Sequence, residues 1–363
     1  MNYLDEFRDR QVVLGFAERI RGLVEGRTTP MTFMEICGTH TMAIYQYGIR
    51  SLLPAEVRLI SGPGCPVCVT PNGYVDRAIA LARLPGTIIA TFGDMVRVPG
   101  SSTSLMEERA RGADIRIVYS PLDAVALAAR NPQLRVIFLG VGFETTAPTI
   151  AGSILAAEQQ GLANYFVLTA HKTIPVPMQI LADDPELRID GYLCPAHVSA
   201  IIGANAYRPL AEKQGIPCVV TGFESTDVMQ GVEMLVRQVL AGESRVENQY
   251  RRVVTAEGNV RAQAVLTRVF TPCDVAWRGI GVIPGSGLRI AEPYARYDAE
   301  RAIPVAVEAL REHRGCLCGE ILKGKVSPFD CPLFATTCTP EAPVGACMVS
   351  SEGTCAAAYK YGR

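Results

Sequence analysis

The sequence predicts an α/β fold built on parallel sheets, and three observations carry that expectation. Short β-rich apolar runs alternate with helical patterns from about residue 31 to residue 240, the succession that parallel α/β units produce. Most of these runs end in Gly, Pro, Thr, Cys or His, as befits strands whose carboxyl ends form the ligand-binding edge of an open sheet. The 363 residues are 48% hydrophobic and 20% charged, a globular composition long enough for two to three domains at roughly 150 residues each.

Residues 1–30 read as a helical lead-in carrying Phe7, Val12, Leu14, Phe16, Ile20 and Leu23. Strands are expected over 32–36, 57–60, 87–91, 115–119, 136–141, 165–169, 191–194 and 217–221, with helical patterns such as 74–84, 122–129 and 149–160 between them. The longest apolar stretch, Val136 to Phe143, is far short of the roughly 18 residues that span a bilayer and reads as a buried strand. After about residue 245 the alternation weakens and Gly, Pro and Cys accumulate.

Shifted by about 130 residues, the chain resembles itself. Cys65-Pro66-Val67-Cys68 meets Cys194-Pro195-Ala196-His197, Thr91-Phe92-Gly93-Asp94 meets Thr221-Gly222-Phe223-Glu224, and His40 meets His171. Three strand-end motifs in one order predict two similar parallel-sheet units by internal duplication, against the alternative that such turns recur in any parallel sheet. The expected division is a first α/β domain over 31–130, a second over 131–245, and a third region of 1–30 with 246–363.

Lys plus Arg number 35 and Asp plus Glu 36, for a net charge of -1. That balance lacks the basic footprint of a dedicated nucleic-acid binder. The first ten residues mix both charges without an apolar core, unlike a signal peptide, so a cytoplasmic location is expected. In that reducing compartment twelve cysteines point to metal or redox chemistry rather than structural disulfides.

Four motifs carry chemistry. Cys37-Gly38-Thr39-His40-Thr41 follows a strand, and a Cys with a His three residues on suits a metal-ligand pair or a nucleophile with its base; a buried Cys beside a capping Thr is the plainer alternative. Gly62-Pro63-Gly64-Cys65-Pro66-Val67-Cys68 is a C-x-x-C behind a glycine turn, a redox dithiol or half of a metal site. Gly142-Phe143-Glu144-Thr145-Thr146-Ala147-Pro148 places an acid and hydroxyls after a strand, so Glu144 either transfers a proton or holds a partner, or the segment simply caps a helix. Lastly, Cys316, Cys331, Cys338 and Cys355 follow C-x(14)-C-x(6)-C-x(16)-C in a Pro/Gly-rich segment. Four such thiolates suit a [4Fe-4S] cluster, with a four-cysteine zinc site as the competing reading.

Together these stretches, with Gly93-Asp94-Met95-Val96-Arg97-Val98-Pro99-Gly100, His197-Val198-Ser199, Trp277-Arg278-Gly279-Ile280-Gly281 and Cys347-Met348-Val349-Ser350-Ser351-Glu352-Gly353, resemble the hydrogenase maturation factor HypD family over essentially the whole chain. Ala196 and Ser225 depart from the pattern, where Gly and Pro are expected. The resemblance implies a [4Fe-4S] cluster on Cys316, Cys331, Cys338 and Cys355, with Cys318 and Cys347 outside it. It also implies an assembly scaffold with a redox step rather than a turnover enzyme. Such a scaffold pairs with a small HypC-type chaperone, accepts cyanide from a HypE-type donor and builds the Fe(CN)2CO unit of nickel-iron hydrogenases. Cys37 is then the expected ligand of the transient iron carrying cyanide and carbonyl, with His40 tuning its sulfur, and Cys65 with Cys68 the expected two-electron store. Two other classes remain at this point. One is a freestanding iron-sulfur dithiol oxidoreductase. The other is a nucleotide-binding protein, for which Gly281 to Gly287 is the only phosphate-loop candidate and lacks the Lys-Ser/Thr of a Walker A loop.

Overall fold

The computed structural model describes residues 6–311 and 313–362. Its strands in chain order are β1 (Met31–Glu35), β2 (Val57–Ser61), β3 (Thr87–Thr91), β4 (Asp114–Ile117), β5 (Arg135–Gly142), β6 (Tyr165–His171), β7 (Gly191–Pro195), β8 (Cys218–Thr221), β9 (Val246–Asn248), β10 (Phe270–Trp277) and β11 (Gly281–Ile290). Each strand expected from the alternation is present. The short edge strand β9, half-buried along its length, has no apolar run to announce it.

One sheet has the order β2-β1-β7-β8-β9 and the other β4-β3-β5-β6, with every pair parallel. Numbered within its own sheet, each runs second, first, third, fourth, and the first sheet adds a fifth strand at the end. Each therefore has one point where crossovers leave neighbouring strands in opposite directions, and at such a point the carboxyl ends open a crevice. In the first sheet it lies between β1 and β7, in the second between β3 and β5.

This arrangement corrects the expected domain division. A boundary at 130 would pass between β4 and β5, members of one sheet, whereas the first sheet is assembled from 31–61 and 191–248 with the second inserted between them. The 130-residue shift carries β3 onto β8, the first strand of one sheet onto the fourth of the other, and carries Cys65, past the end of β2, onto Cys194 within β7. The two sheets are similar in strand order, and the motif shift does not by itself pair their equivalent strands.

The lead-in also sits elsewhere than expected. Its helix, Arg10–Val24, is capped by Asp9, whose Oδ1 accepts from the Gln11 amide at 2.7 Å. It packs on helix Ser225–Ala241, with Ile20 and Val24 buried in the cluster of Phe33, Leu193, Val232 and Leu235. Its apolar face thus belongs to the first sheet and not to the cysteine-rich region.

Strands β10 and β11 form an antiparallel hairpin fastened beyond β6, where the Thr173 amide donates to the Ser286 carbonyl at 2.9 Å. The Trp277 indole N–H donates to Ser286 Oγ at 2.8 Å, and its ring stacks on Phe143 at 6.0 Å. The candidate phosphate loop, Gly281 to Gly287, lies inside β11 rather than between a strand and a helix, so its amides do not form a phosphate cradle. Among the described residues no helix is long and apolar enough to cross a membrane.

Candidate functional site

Cys37 stands just past the buried strand β1, at the N-cap of helix Gly38–Gln46. It is 1% exposed. Burial pushes its thiol pKa far up, the carboxylates of Glu352 and Glu35 add to the rise, and hydrogen bonds from the His40 and Thr39 amides oppose it. The thiol is therefore protonated as the protein stands. Only a cation on the sulfur reverses the balance, since a metal-bound thiol is deprotonated outright.

The imidazole facing this sulfur is His197, whose ring nitrogens lie 3.9 Å from Cys37 Sγ. His197 opens helix Ala196–Ile202 directly after β7, the strand beside β1 at the crevice. Burial lowers its pKa to about 4, so the ring is neutral at physiological pH. The His40 ring is engaged elsewhere: Nε2 donates to the carbonyls of Gly222 and Thr221 at 2.9 and 3.0 Å. Burial brings His40 to about 4 as well. Phe223 lies between the two imidazoles, 4.9 Å from His40 and 5.1 Å from His197.

Two carboxyl groups complete this crevice. Glu352 Oε1 accepts from Thr39 Oγ1 at 2.7 Å, and a Cβ on Gly38 would come within 2.6 Å of the Glu352 carbonyl oxygen. Glycine is thus what lets the C-terminal segment close over Cys37. Glu35, fully buried, is pushed up to about 7 by desolvation, against hydrogen bonds from Ser61 and Thr41 and the charge of Arg50.

The Cys65–Cys68 turn abuts Cys37. The Gly38 amide donates to the Gly64 carbonyl at 3.0 Å, and a Cβ on Gly64 would collide with the backbone of Cys37. Gly62 likewise leaves room for Ile36 and Met34. Cys65 caps the short helix Pro66–Val69, its sulfur accepting from the Cys68 amide at 3.3 Å. The two sulfurs are joined as a disulfide with Cα atoms 5.3 Å apart, and both residues are buried.

Helix Pro66–Val69 packs in turn on the short turn Ala346–Met348, and helix Thr354–Tyr361 packs on helix Gly38–Gln46. These elements bring Cys347 and Cys355 to one cavity, shared with Cys316, Cys318, Cys331 and Cys338. Its other walls include Ile321, Leu333, Phe334 and Met348. The four cysteines expected as cluster ligands all line it. Cys318 and Cys347, set outside that pattern, line it too, with sulfurs 2.8 Å apart. Gly345 makes room for Cys316, whose sulfur a Cβ there would approach to 2.8 Å. Soft thiolate donors around an apolar cavity suit an iron-sulfur group. Among the described residues no three His, Cys, Asp or Glu side chains form a single-ion site.

Glu144 lies past β5, against the segment that follows β6. Its Oε1 accepts from the Ile174 amide at 2.9 Å while Oε2 is buried without a partner, and desolvation raises its pKa to about 7. Thr146, the N-cap of helix Ala147–Gln159, makes no side-chain cap, so the capping alternative is not realised there.

The family model HypD, described as "Hydrogenase formation hypA family", matches residues 11–362. The chain belongs to the HypD family. It is 48% identical to "Hydrogenase maturation factor HypD2" of Bradyrhizobium diazoefficiens and to "Hydrogenase maturation factor HypD" of Azotobacter vinelandii, each alignment covering 100% of this chain and 97% of the relative. The protein of the same name from Escherichia coli is 45% identical, over 99% of this chain and 98% of that one.

In this HypD-family chain, motif reading located Cys37 and the Cys65–Cys68 turn but assigned the nearby imidazole to His40. His197 is 160 residues from Cys37 in sequence, and only the β1–β7 pairing joins them. Glu352 and Arg278 fall within family-like motifs whose sequence alone indicates no role for them. Gly279, next to Arg278, is a local signal, since it marks a close backbone approach to Gly319, and Gly38, next to Cys37, marks the approach of Glu352.

Proposed function

We propose that this member of the HypD family acts in hydrogenase maturation as a scaffold with a redox step, assembling the Fe(CN)2CO unit with a HypC-type chaperone and taking cyanide from a HypE-type donor. The observation that carries the reading is continuity: the Cys37 backbone touches Gly64 of the C-x-x-C turn, and the helix after that turn packs on the segment carrying Cys347 of the cysteine cavity.

The iron being dressed is cargo. A low-spin iron carrying cyanide and carbonyl favours thiolate donors, and Cys37 offers one whose negative charge is stabilised only once a cation binds. His197 is the neutral imidazole beside that sulfur, and Glu352 closes the site from the C-terminal side.

Cyanide carried on sulfur leaves with two electrons: R–S–C≡N + 2 e− gives R–S− and CN−. Cys65 and Cys68 as dithiolates supply that pair while their own S–S bond forms, and a further two electrons restore them. A [4Fe-4S] cluster held by Cys316, Cys331, Cys338 and Cys355 supplies single electrons when bound. Glu144, its carboxyl largely protonated up to about pH 7, is assigned a proton-holding role beside the Ile174 amide.

The test is anaerobic copurification with the HypC-type partner followed by infrared spectroscopy. Cyanide and carbonyl bands are expected in the complex. Their absence, together with dithiol turnover by the isolated chain and reductant, would favour a freestanding oxidoreductase instead.

A further inference from the structure

Arg278 is a buried cation whose charge no described carboxylate answers. It is 8% exposed, and among the described residues it forms no ion pair. Its amide donates to the Val69 carbonyl at 2.9 Å, its Nε to the Thr70 carbonyl at 2.9 Å and its Nη1 to Asn72 Oδ1. All three acceptors are neutral, and all lie at or just beyond the end of the helix that carries Cys68. Nη2 is buried without any partner. Arg278 lines a cleft with Asn72, His313, Cys316, Cys318 and Glu320. The cleft's carboxylate, Glu320, pairs with Lys323 at 2.5 Å. The next residue, Gly279, lies so close to Gly319 that a Cβ on either would strike the other's backbone, which fixes Arg278 against the segment bearing Cys318.

A guanidinium withdrawn from water without an anion is costly, and the neutral anchors around it hold the charge in place rather than cancelling it. Besides Glu320, already paired with Lys323, the groups in the cleft able to carry negative charge are the sulfurs of Cys316 and Cys318. We propose that Arg278 is a positioning residue that supplies the counter-charge of the cysteine cavity: its fixed cation favours the more negative, reduced state of the group those sulfurs hold, while its hydrogen bonds keep the Cys65–Cys68 helix against the same cavity. The inference rests on the reading that this cavity holds an iron-sulfur group.

The experiment uses the full chain, purified anaerobically, as wild type, Arg278→Lys and Arg278→Gln, with the one-electron midpoint of the iron-sulfur group followed by electron paramagnetic resonance. Arg278→Gln removes the charge, and its reduction equilibrium is expected to move about tenfold toward the oxidised state, about 59 mV for one electron. Arg278→Lys keeps the charge and is expected to stay within about threefold of wild type, although it loses the guanidinium's planar fork and with it thermal stability. A merely structural role would place the two variants in order of their stability loss, not of their charge. Loss of the group from Arg278→Gln but not from Arg278→Lys would also show that the charge is required. Equal midpoints in all three proteins, equal shifts in both variants, or loss of the group from both would overturn the proposal. A wild type with no bound iron and no visible absorbance would instead refute the underlying reading.

Discussion

The amide of Gly38 donates a 3.0 Å hydrogen bond to the carbonyl of Gly64, and this bond joins the turn after β1 to the turn after β2. Parallel pairing of β1 with β2 brings the two strand ends together, and the missing side chain of Gly64 lets their backbones touch. The Cys65–Cys68 disulfide and the Cys37 thiol are neighbours for that reason.

Gly64→Ala should therefore cost more than the loss of backbone freedom. Its methyl group would meet the Cys37 amide, a backbone group that cannot rotate aside, and overpacking of this kind costs about 1–3 kcal/mol. Chemical denaturation should show a lower midpoint with unchanged slope. A variant as stable as wild type would mean the two turns separate readily.

His197→Ala and His40→Ala should differ in kind. Losing His197 removes the imidazole at the Cys37 sulfur, so copurified complex should lose its cyanide and carbonyl bands while the fold remains. Losing His40 leaves the Thr221 and Gly222 carbonyls without their buried donor, at about 1–3 kcal/mol, and should show first as a lower melting temperature. The reverse pattern would return the sulfur-tuning role to His40.

Cysteine substitutions should divide the cavity. Replacing Cys316, Cys331, Cys338 or Cys355 by Ala is expected to bleach the brown iron-sulfur absorbance, and replacing Cys318 is expected to spare it. Bleaching by Cys318→Ala with retention in Cys316→Ala would reassign the ligands, since both side chains line the cavity.

Glu144 gives stability a definite pH slope. Its folded pKa of about 7 lies above the ordinary 4.5 of a glutamate, so between those limits the folded state holds a proton that the unfolded state has released. Stability from this group is complete below about pH 4.5 and is lost as pH rises through about 7, by on the order of 3 kcal/mol at 1.36 kcal/mol per unit. Glu144→Gln should flatten that slope relative to wild type while keeping the acceptor for Ile174. Parallel stability curves for the two proteins across pH 5–8 would show that Glu144 titrates normally.

How much of this was legible in the sequence follows from the range of each signal. Strands such as 87–91 and 136–141 were visible because burial on both faces writes continuous β-branched runs into the chain. Cys37 and the C-x-x-C turn were visible because their chemistry is local. The sheets' composition was not, because the insertion of β3 to β6 between β2 and β7 leaves no mark on any single strand. His197 and Arg278 escaped for the same reason: each acts on residues 160 or more positions away, and their partners are set by pairing and packing alone. Cys318 and Cys347 fall outside the ligand pattern that the resemblance implies, yet the fold brings them to the same cavity as the other four.

The central claim is that Cys37 holds the iron being dressed. The most direct measurement compares wild type and Cys37→Ala, each purified anaerobically with the HypC-type partner, by infrared and visible spectroscopy on the same samples. Truncating this small buried side chain should cost on the order of 1 kcal/mol, leaving the fold and the brown iron-sulfur absorbance in place while the cyanide and carbonyl bands vanish. Bands of wild-type strength in Cys37→Ala would contradict the claim and move the iron to Cys65 or Cys68.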